Sequence, residues 1–308
     1  MELRIFIEPQ QGATYDDQLT VARLAEGLDF GAFFRSDHYL AMDVDGRPGP
    51  TDSWVTLAGI ARETDTIRLG TMMTSATFRY PGPLAISVAQ VDQMSGGRVE
   101  LGIGAGWYDA EHAAYAIPFP PAGERFDNLE DNLAILTGLW TTPDGETFSY
   151  QGSRHSVVDS PGLPKPAQQP HPPIIIGGKG ANRTPALTAR YAAEFNLPFV
   201  GLDVTEQQIG RVRAACEEIG RDPDELVYSN ALTVCCGADE NEIKRRAEFI
   251  GRTPEDLREN ALAGTPQEIV DTLGRYAALG SQRIYLQVLD LHDLDQIGLL
   301  ADEVMPHV

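Results

Sequence analysis

Cysteine is scarce in this chain. Its 308 residues include Cys216, Cys235 and Cys236, so any pairing leaves one thiol over, and two of the three are sequence neighbours. That pattern excludes a disulfide-stapled secreted scaffold and reads as reduced thiols in a cytosol. Long apolar runs are also missing. No stretch approaches the ~20 consecutive apolar residues that a membrane-spanning helix needs. The opening MELRIFIEPQ has too short an apolar run for an export signal and alternates like a strand, so a cytoplasmic location is expected. Basic residues are in deficit: 24 Lys and Arg face 45 Asp and Glu, a formal net charge of −21. Phosphate backbones repel such a surface, which excludes nucleic acid as a partner. The six histidines are scattered, with no HExxH and no Cys/His ligand spacing, so no metal site is expected. A GxSxG nucleophile elbow is absent too.

What is present is a packed globular composition, 42% hydrophobic and 22% charged. A chain of this length buries about three quarters of its unfolded surface and needs no staple. Strand-like and helix-like segments alternate from end to end. Strands are predicted at Leu3 to Glu8, Ala32 to Arg35, Ile67 to Met73, Arg98 to Gly104, Pro173 to Ile176, Glu194 to Phe199, Leu226 to Cys236 and Ile284 to Leu289. Helices lie between them, the first opened by Thr14 as N-cap with Asp17 in its first turn. One stretch, 141–173, breaks the rhythm. Its proline and glycine content excludes a long helix, and two short strand-like runs near Thr147–Tyr150 and His155–Val158 predict a small hairpin. A domain boundary there is the competing reading.

Eight βα units in one domain, 1–308, predict an α/β fold of the (β/α)8 TIM-barrel type, with the hairpin-bearing insertion between strands 4 and 5. An open doubly wound sheet would carry a phosphate-binding turn after its first strand. Here that position reads Pro9-Gln10-Gln11-Gly12. The later run Gly102-Ile103-Gly104-Ala105-Gly106 has GxGxG spacing at the fourth strand, so it is no dinucleotide fingerprint. Its glycines would let a ring or backbone approach closely.

In a barrel, chemistry sits at the C-terminal strand ends. Glu8 and Gln10 follow strand one. Asp37 and His38 follow strand two, where a histidine can donate a proton near neutral pH and a neighbouring carboxylate can tune it. Met72 to Thr77 end strand three, and Trp107 and Tyr108 follow strand four. GGKGANR, Gly177 to Arg183, follows strand five and opens a helix. Converging N–H groups, the helix N-terminus, Lys179 and Arg183 make it a phosphate cradle in an otherwise acidic chain. Glu111-His112 reads as a solvated helix face. Glu8 and Asp37 would be the carboxylate pair of a glycosidase, the hydrolase alternative.

Together FFRSDHYL, IRLGTMMTSATFRYPG, GGRVELGIGAGWYDAEHAAYAIPFP, PKPAQQPHPPIIIGGKG and GTPQEIVDTLGRYAALGSQRIYLQ resemble the bacterial luciferase-like monooxygenase superfamily. More narrowly, they resemble its branch that uses the deazaflavin coenzyme F420. The resemblance implies a TIM barrel, commonly a homodimer, holding the coenzyme ring in its C-terminal mouth. It implies His38 as acid or ring contact with Asp37 beside it. It places a non-prolyl cis peptide at Met72-Met73 backing the ring, Thr74 and Ser75 as donors to it, and Gly177, Gly178, Lys179 and Gly180, with Arg183, at the coenzyme phosphate. The sugar-phosphate-oxidising members carry an acidic residue where this chain has Trp107, and an asparagine where it has Ala110. The pair Trp107-Tyr108 therefore implies a flatter, more apolar substrate, such as an enone, imine or dehydroamino acid, reduced by F420 in its reduced form. Glu8, Gln10, Trp107 and Tyr108 would contact it. The alternative within the family is an FMN-dependent monooxygenase using oxygen, which deazaflavin activates poorly because carbon replaces nitrogen at the reacting ring position. A non-catalytic flavin-binding barrel is the alternative of another class, and would bind a coenzyme without turnover.

Overall fold

The computed structural model describes residues 1–308. Its strands are β1 (Glu2–Ile7), β2 (Ala32–Arg35), β3 (Arg68–Ser75), β4 (Val99–Gly104), β5 (Phe148–Gln151), β6 (Ser156–Ser160), β7 (Ile174–Gly177), β8 (Glu194–Pro198), β9 (Val227–Cys236), β10 (Leu262–Gly264) and β11 (Arg283–Val288). The helices are α1 (Tyr15–Gly27), α2 (Ser53–Glu63), α3 (Pro81–Ser95), α4 (Asp109–Ala114), α5 (Ala122–Thr141), α6 (Arg183–Tyr191), α7 (Leu202–Glu218), α8 (Glu240–Ile250), α9 (Pro254–Asn260), α10 (Pro266–Ala278) and α11 (Leu294–Glu303). No helix is long and apolar enough to cross a membrane.

Eight parallel strands run in the order β11-β1-β2-β3-β4-β7-β8-β9, and β9 pairs with β11 to close a TIM barrel. The sheet carries one addition that the sequence reading did not anticipate: β10, three residues long, pairs parallel with β9 outside the barrel. The insertion holds the predicted hairpin, β5 antiparallel to β6. It is tied to α5, where the Tyr150 hydroxyl donates to Asp131 Oδ1 at 3.0 Å.

Side-chain alternation along the strands explains how the barrel sorts its residues. In β1, Leu3, Ile5 and Ile7 join the large apolar core between barrel and helices, while Phe6 belongs to the separate interior cluster with Phe34, Met72, Ile175 and Tyr285. The same period of two sends Val99, Leu101 and Ile103 of β4, and Ile284, Leu286 and Val288 of β11, to the helix-facing core. The inward positions of β1 are therefore Arg4, Phe6 and, just past its end, Glu8. Along β1 the interior thus reads a guanidinium at the base, an aromatic ring in the middle and a carboxylate at the mouth.

Helix starts are set locally. The hydroxyl of Thr14 accepts from the Asp17 N–H while Asp17 caps the Thr14 N–H, and Thr265 with Glu268 repeats this capping box at α10. Between Thr71 and Thr74 the β3–β4 register shifts, and there the Met72–Met73 peptide is cis. Gly102 of β4 faces this irregularity; a Cβ there would collide with the Thr71 carbonyl oxygen. Of the GxGxG run, Gly102 thus serves close strand packing, while Gly104 and Gly106 line the mouth.

Candidate active site

A cavity of about 370 Å³ opens at the C-terminal mouth of the barrel. Glu8, Asp37, His38, Met72, Met73, Thr74 and Ser75 line one part, and Trp107, Glu111, Gly177 to Gly180 and Asn196 line the rest. The ends of β1, β2, β3, β4, β7 and β8 and the following helix α4 supply these residues, so strand alternation and barrel closure together bring them to one place.

His38 is the best-organised polar group. Its Nδ1 lies 2.9 Å from Glu111 Oε1, and Glu111 Oε2 accepts the Tyr39 backbone N–H at 2.9 Å. An ionised carboxylate only accepts, so Nδ1 carries the proton and Nε2 is left for other partners. Burial pushes the His38 pKa down, but the hydrogen bond and charge of Glu111, with Glu8 and Asp37 adding to them, outweigh it and raise the pKa above the ordinary histidine value. The ring also meets Trp107 edge-on, with centroids 5.7 Å apart. Glu8 is a further ionisable group in the mouth. The Gln287 and Gln10 amides donate to its two oxygens at 2.9 and 3.1 Å. Burial raises its pKa, partly offset by the His38 charge and these amides.

Glu111 corrects the sequence reading. It is 1% exposed, as is His112, so the pair is no solvated face. Helix α4 begins five residues after β4 ends and covers the mouth, which turns Glu111 onto His38. His112 joins a buried chain: its Nε2 is 2.6 Å from Thr77 Oγ1, and Thr77 in turn lies 2.6 Å from Ser75 Oγ. The available signal was position. Glu111 lies on the first turn of the helix that follows β4, at the mouth end of that strand.

Asp37 also differs from expectation. Arg79 grips it with Nη1 at 2.5 Å and Nη2 at 3.2 Å, and the Thr74 hydroxyl donates to it at 2.9 Å. Its oxygens are committed to Arg79 and Thr74, so it anchors the loop after β2 to β3, and the carboxylate bonded to His38 is Glu111 instead. Thr74 is spent on Asp37, and Ser75 on Thr77.

The GGKGANR loop joins β7 to α6. Gly178 has φ of 135°, which favours glycine, and donates its N–H to the Asn196 carbonyl. From Lys179 to Thr184 the backbone N–H groups find no backbone acceptor, and Asn182 gives α6 no side-chain cap. The Lys179 side chain is exposed beside them. Arg183 does not join this cradle. Its guanidinium bonds to Asp127 at 2.6 Å and Glu130 at 3.3 Å on α5 and lies over the Phe126 ring, outside the cavity lining. A basic residue on the first turn of a helix pairs with the acidic helix beside it, and α5 carries both carboxylates.

Gln10 and Tyr108 lie behind the cavity wall rather than in it. Gln10 is buried and bridges Glu8 to the Ser36 hydroxyl. Tyr108 stacks under Trp107 at 5.3 Å and donates to the Ala41 carbonyl. Trp107 itself lines the mouth and is 64% exposed. The lining also takes in Asn196, whose buried Oδ1 has no hydrogen-bond partner, and Phe199, 44% exposed with φ of 50°.

Fold and mouth together put the chain among barrel enzymes whose chemistry is built on the strand ends. The family follows from comparison: the profile of the luciferase-like monooxygenase family matches residues 1–254. The chain belongs to that family of oxidoreductases and monooxygenases. It is 27% identical over 317 residues to an F420-dependent glucose-6-phosphate dehydrogenase of Microbacterium testaceum, covering 92% of this chain and 91% of the relative. It is 25% identical over 311 residues to the oxygenase component of a flavin-dependent trigonelline monooxygenase of Acinetobacter baylyi, covering 90% of this chain and 84% of the relative. Among solved structures, an F420-dependent secondary alcohol dehydrogenase bound to an F420–acetone adduct superposes with a TM-score of 0.85 at 18% identity, covering 98% of each chain. Family members thus use either F420 or a flavin.

Proposed function

We propose that this protein is an F420-dependent reductase that passes a hydride to a small, flat organic substrate while His38 supplies the proton. The observation that carries this reading is the His38–Glu111 pair: Nδ1 is fixed, Nε2 is left over, and the ring is held towards its charged form in the cavity wall. Addition of a hydride to a C=C or C=N bond leaves a carbanion or amide anion, and a positioned acid quenches it.

The residues present fit a tricyclic deazaflavin. Met72, Met73, Gly104 and Gly177 make a thin wall, because Gly177 has no room for a Cβ against Met73. The orphaned Asn196 Oδ1 awaits a donor, which the pyrimidine edge of the ring offers. Unpaired N–H groups from Lys179 to Thr184, with the Lys179 ammonium, suit the phosphate. When bound, the coenzyme supplies the hydride. The protein holds the ring and phosphate, and Nε2 of His38 delivers a proton to the substrate atom next to the one reduced. Glu111 stabilises the charged imidazole before the transfer, and Gln10 and Gln287 keep Glu8 facing the same space. Trp107, backed by Tyr108, offers an apolar face to the substrate.

The working unit we propose is a homodimer. Val55 on α2 and Ile86 on the adjacent α3 are 74% and 48% exposed, an apolar surface a second copy would cover. Equilibrium titrations with F420 and with FMN test the coenzyme. F420 is expected to bind at least about tenfold tighter, ~1.4 kcal/mol. Tighter FMN binding, with oxygen uptake coupled to substrate oxidation, would make the chain a monooxygenase instead.

A further inference from the structure

A second cavity, of about 430 Å³, lies outside the barrel mouth between the loop after β3, the α4–α5 connection and the hairpin insertion. Its chemistry is the reverse of the first. Glu8, Asp37 and Glu111 line the barrel cavity, whereas no Asp or Glu lines this one. In a chain with 45 acidic and 24 basic residues, the second cavity gathers Arg79, Arg154 and His155.

The two arginines differ in what they have left to give. Arg79 spends its terminal nitrogens on Asp37, Asp52 and Tyr39, leaving the Nε–H. Arg154 pairs only with Glu124, at 2.8 Å, and both side chains are more than 40% exposed, so a bound anion can compete for it in place of that solvent-screened pair. Around them the wall is apolar: Phe78, Ile117, Pro118, Pro120 and the largely exposed Tyr80 ring, which meets His155 edge-on at 5.9 Å. His155 is a fixed part of that wall. Asn128 donates its amide to the Ala76 carbonyl, so its Oδ1 must accept from His155 Nε2, 2.6 Å away. A cation beside a rigid apolar shelf is the arrangement that recognises a carboxylate carried on a flat apolar body.

We infer that this cavity is a second binding site, for a small organic carboxylate with an aromatic or similarly flat body. It adjoins the active site through one segment. Thr77 lines the outer cavity and bonds to Ser75 in the inner one, and Arg79 of the outer cavity holds Asp37, the neighbour of His38. The inference does not depend on the identity of the coenzyme.

Benzoate, with its uncharged isostere benzamide as control, is the probe for calorimetric titration of the intact protein. One saturable benzoate site is expected, with benzamide at least about tenfold weaker and Arg154→Gln weakening benzoate at least about fivefold. Tyr80→Ala, which removes an exposed ring, is expected to weaken benzoate but not acetate. Unaltered melting curves for both variants show that the fold is intact. Equal affinities for benzoate and benzamide, absence of saturation, or a benzoate affinity that Arg154→Gln leaves unchanged would each overturn the site. A final arm separates two sources of the same chemistry. Displacement of benzoate by F420, but not by its ring fragment lacking the carboxylated tail, assigns the site to that tail. Simultaneous binding of both assigns it to a free carboxylate.

Discussion

The two ends of the barrel interior carry similar side chains and use them in opposite ways. At the N-terminal end Arg4, which is fully buried, donates to Glu100 at 2.6 Å, to Tyr285 at 3.1 Å and to Glu2 at 2.7 Å. Arg283 bonds Glu2 and Glu194, and Arg68 bonds Glu100. Burial pushes Glu100 up, yet the Arg4 and Arg68 charges hold it below the usual carboxylate range. Every carboxylate there has a guanidinium. At the C-terminal end His38 has one carboxylate and a spare nitrogen, Asn196 Oδ1 has no partner, and a run of backbone N–H groups has no backbone acceptor. The floor leaves one buried atom, Arg4 Nη2, without a partner, but no carboxylate unpaired; charges matched to charges make a floor, and an acid with a spare nitrogen makes a site.

That contrast can be broken from either side, and the largest effect belongs to the floor. Glu100→Gln strands two buried or half-buried guanidinium groups and is expected to cost about 3–5 kcal/mol of stability, read by denaturant unfolding, with coenzyme affinity of the folded protein unchanged. His38→Ala should reverse the pattern: turnover falls about 10²-fold or more while the melting temperature moves little. Lys179→Ala is expected to weaken coenzyme binding by about 1–3 kcal/mol, measured by equilibrium titration. An unchanged dissociation constant would remove Lys179 from the phosphate site. Arg183→Ala is the smallest. Its exposed ion pairs on α5 are worth about 0–1 kcal/mol, and coenzyme affinity should stay the same.

The floor and the mouth were not equally legible in the sequence. The eight strands announced themselves because each is a short apolar or alternating run between turn signals, and Ala32 to Arg35 came out with the observed bounds. The hairpin was found through the prolines around it. β10 escaped because three residues carry no periodicity. At the mouth, the positions at strand ends could be picked out, but their partners could not. Nothing local to FFRSDHY reveals that Asp37 belongs to Arg79, 42 residues on, or that His38 belongs to Glu111, 73 residues on. The sequence neighbour was the natural choice, and barrel closure overrode it. Arg183 failed for the same reason, since its carboxylates lie on a helix more than fifty residues earlier.

At the centre of the mouth is a histidine whose pKa is raised, chiefly by Glu111. With its folded pKa raised, His38 gives its proton at pH values below that pKa and loses the ability above it. Its stabilising contribution is full below the unfolded value of about 6.5 and disappears as pH rises through the folded one. NMR titration of labelled histidine, in the native protein and in Glu111→Gln, measures this directly. His38 is predicted to titrate above the free histidine value and to drop when Glu111 is neutralised. A His38 that titrates at or below the free value, and is indifferent to Glu111→Gln, would contradict the account.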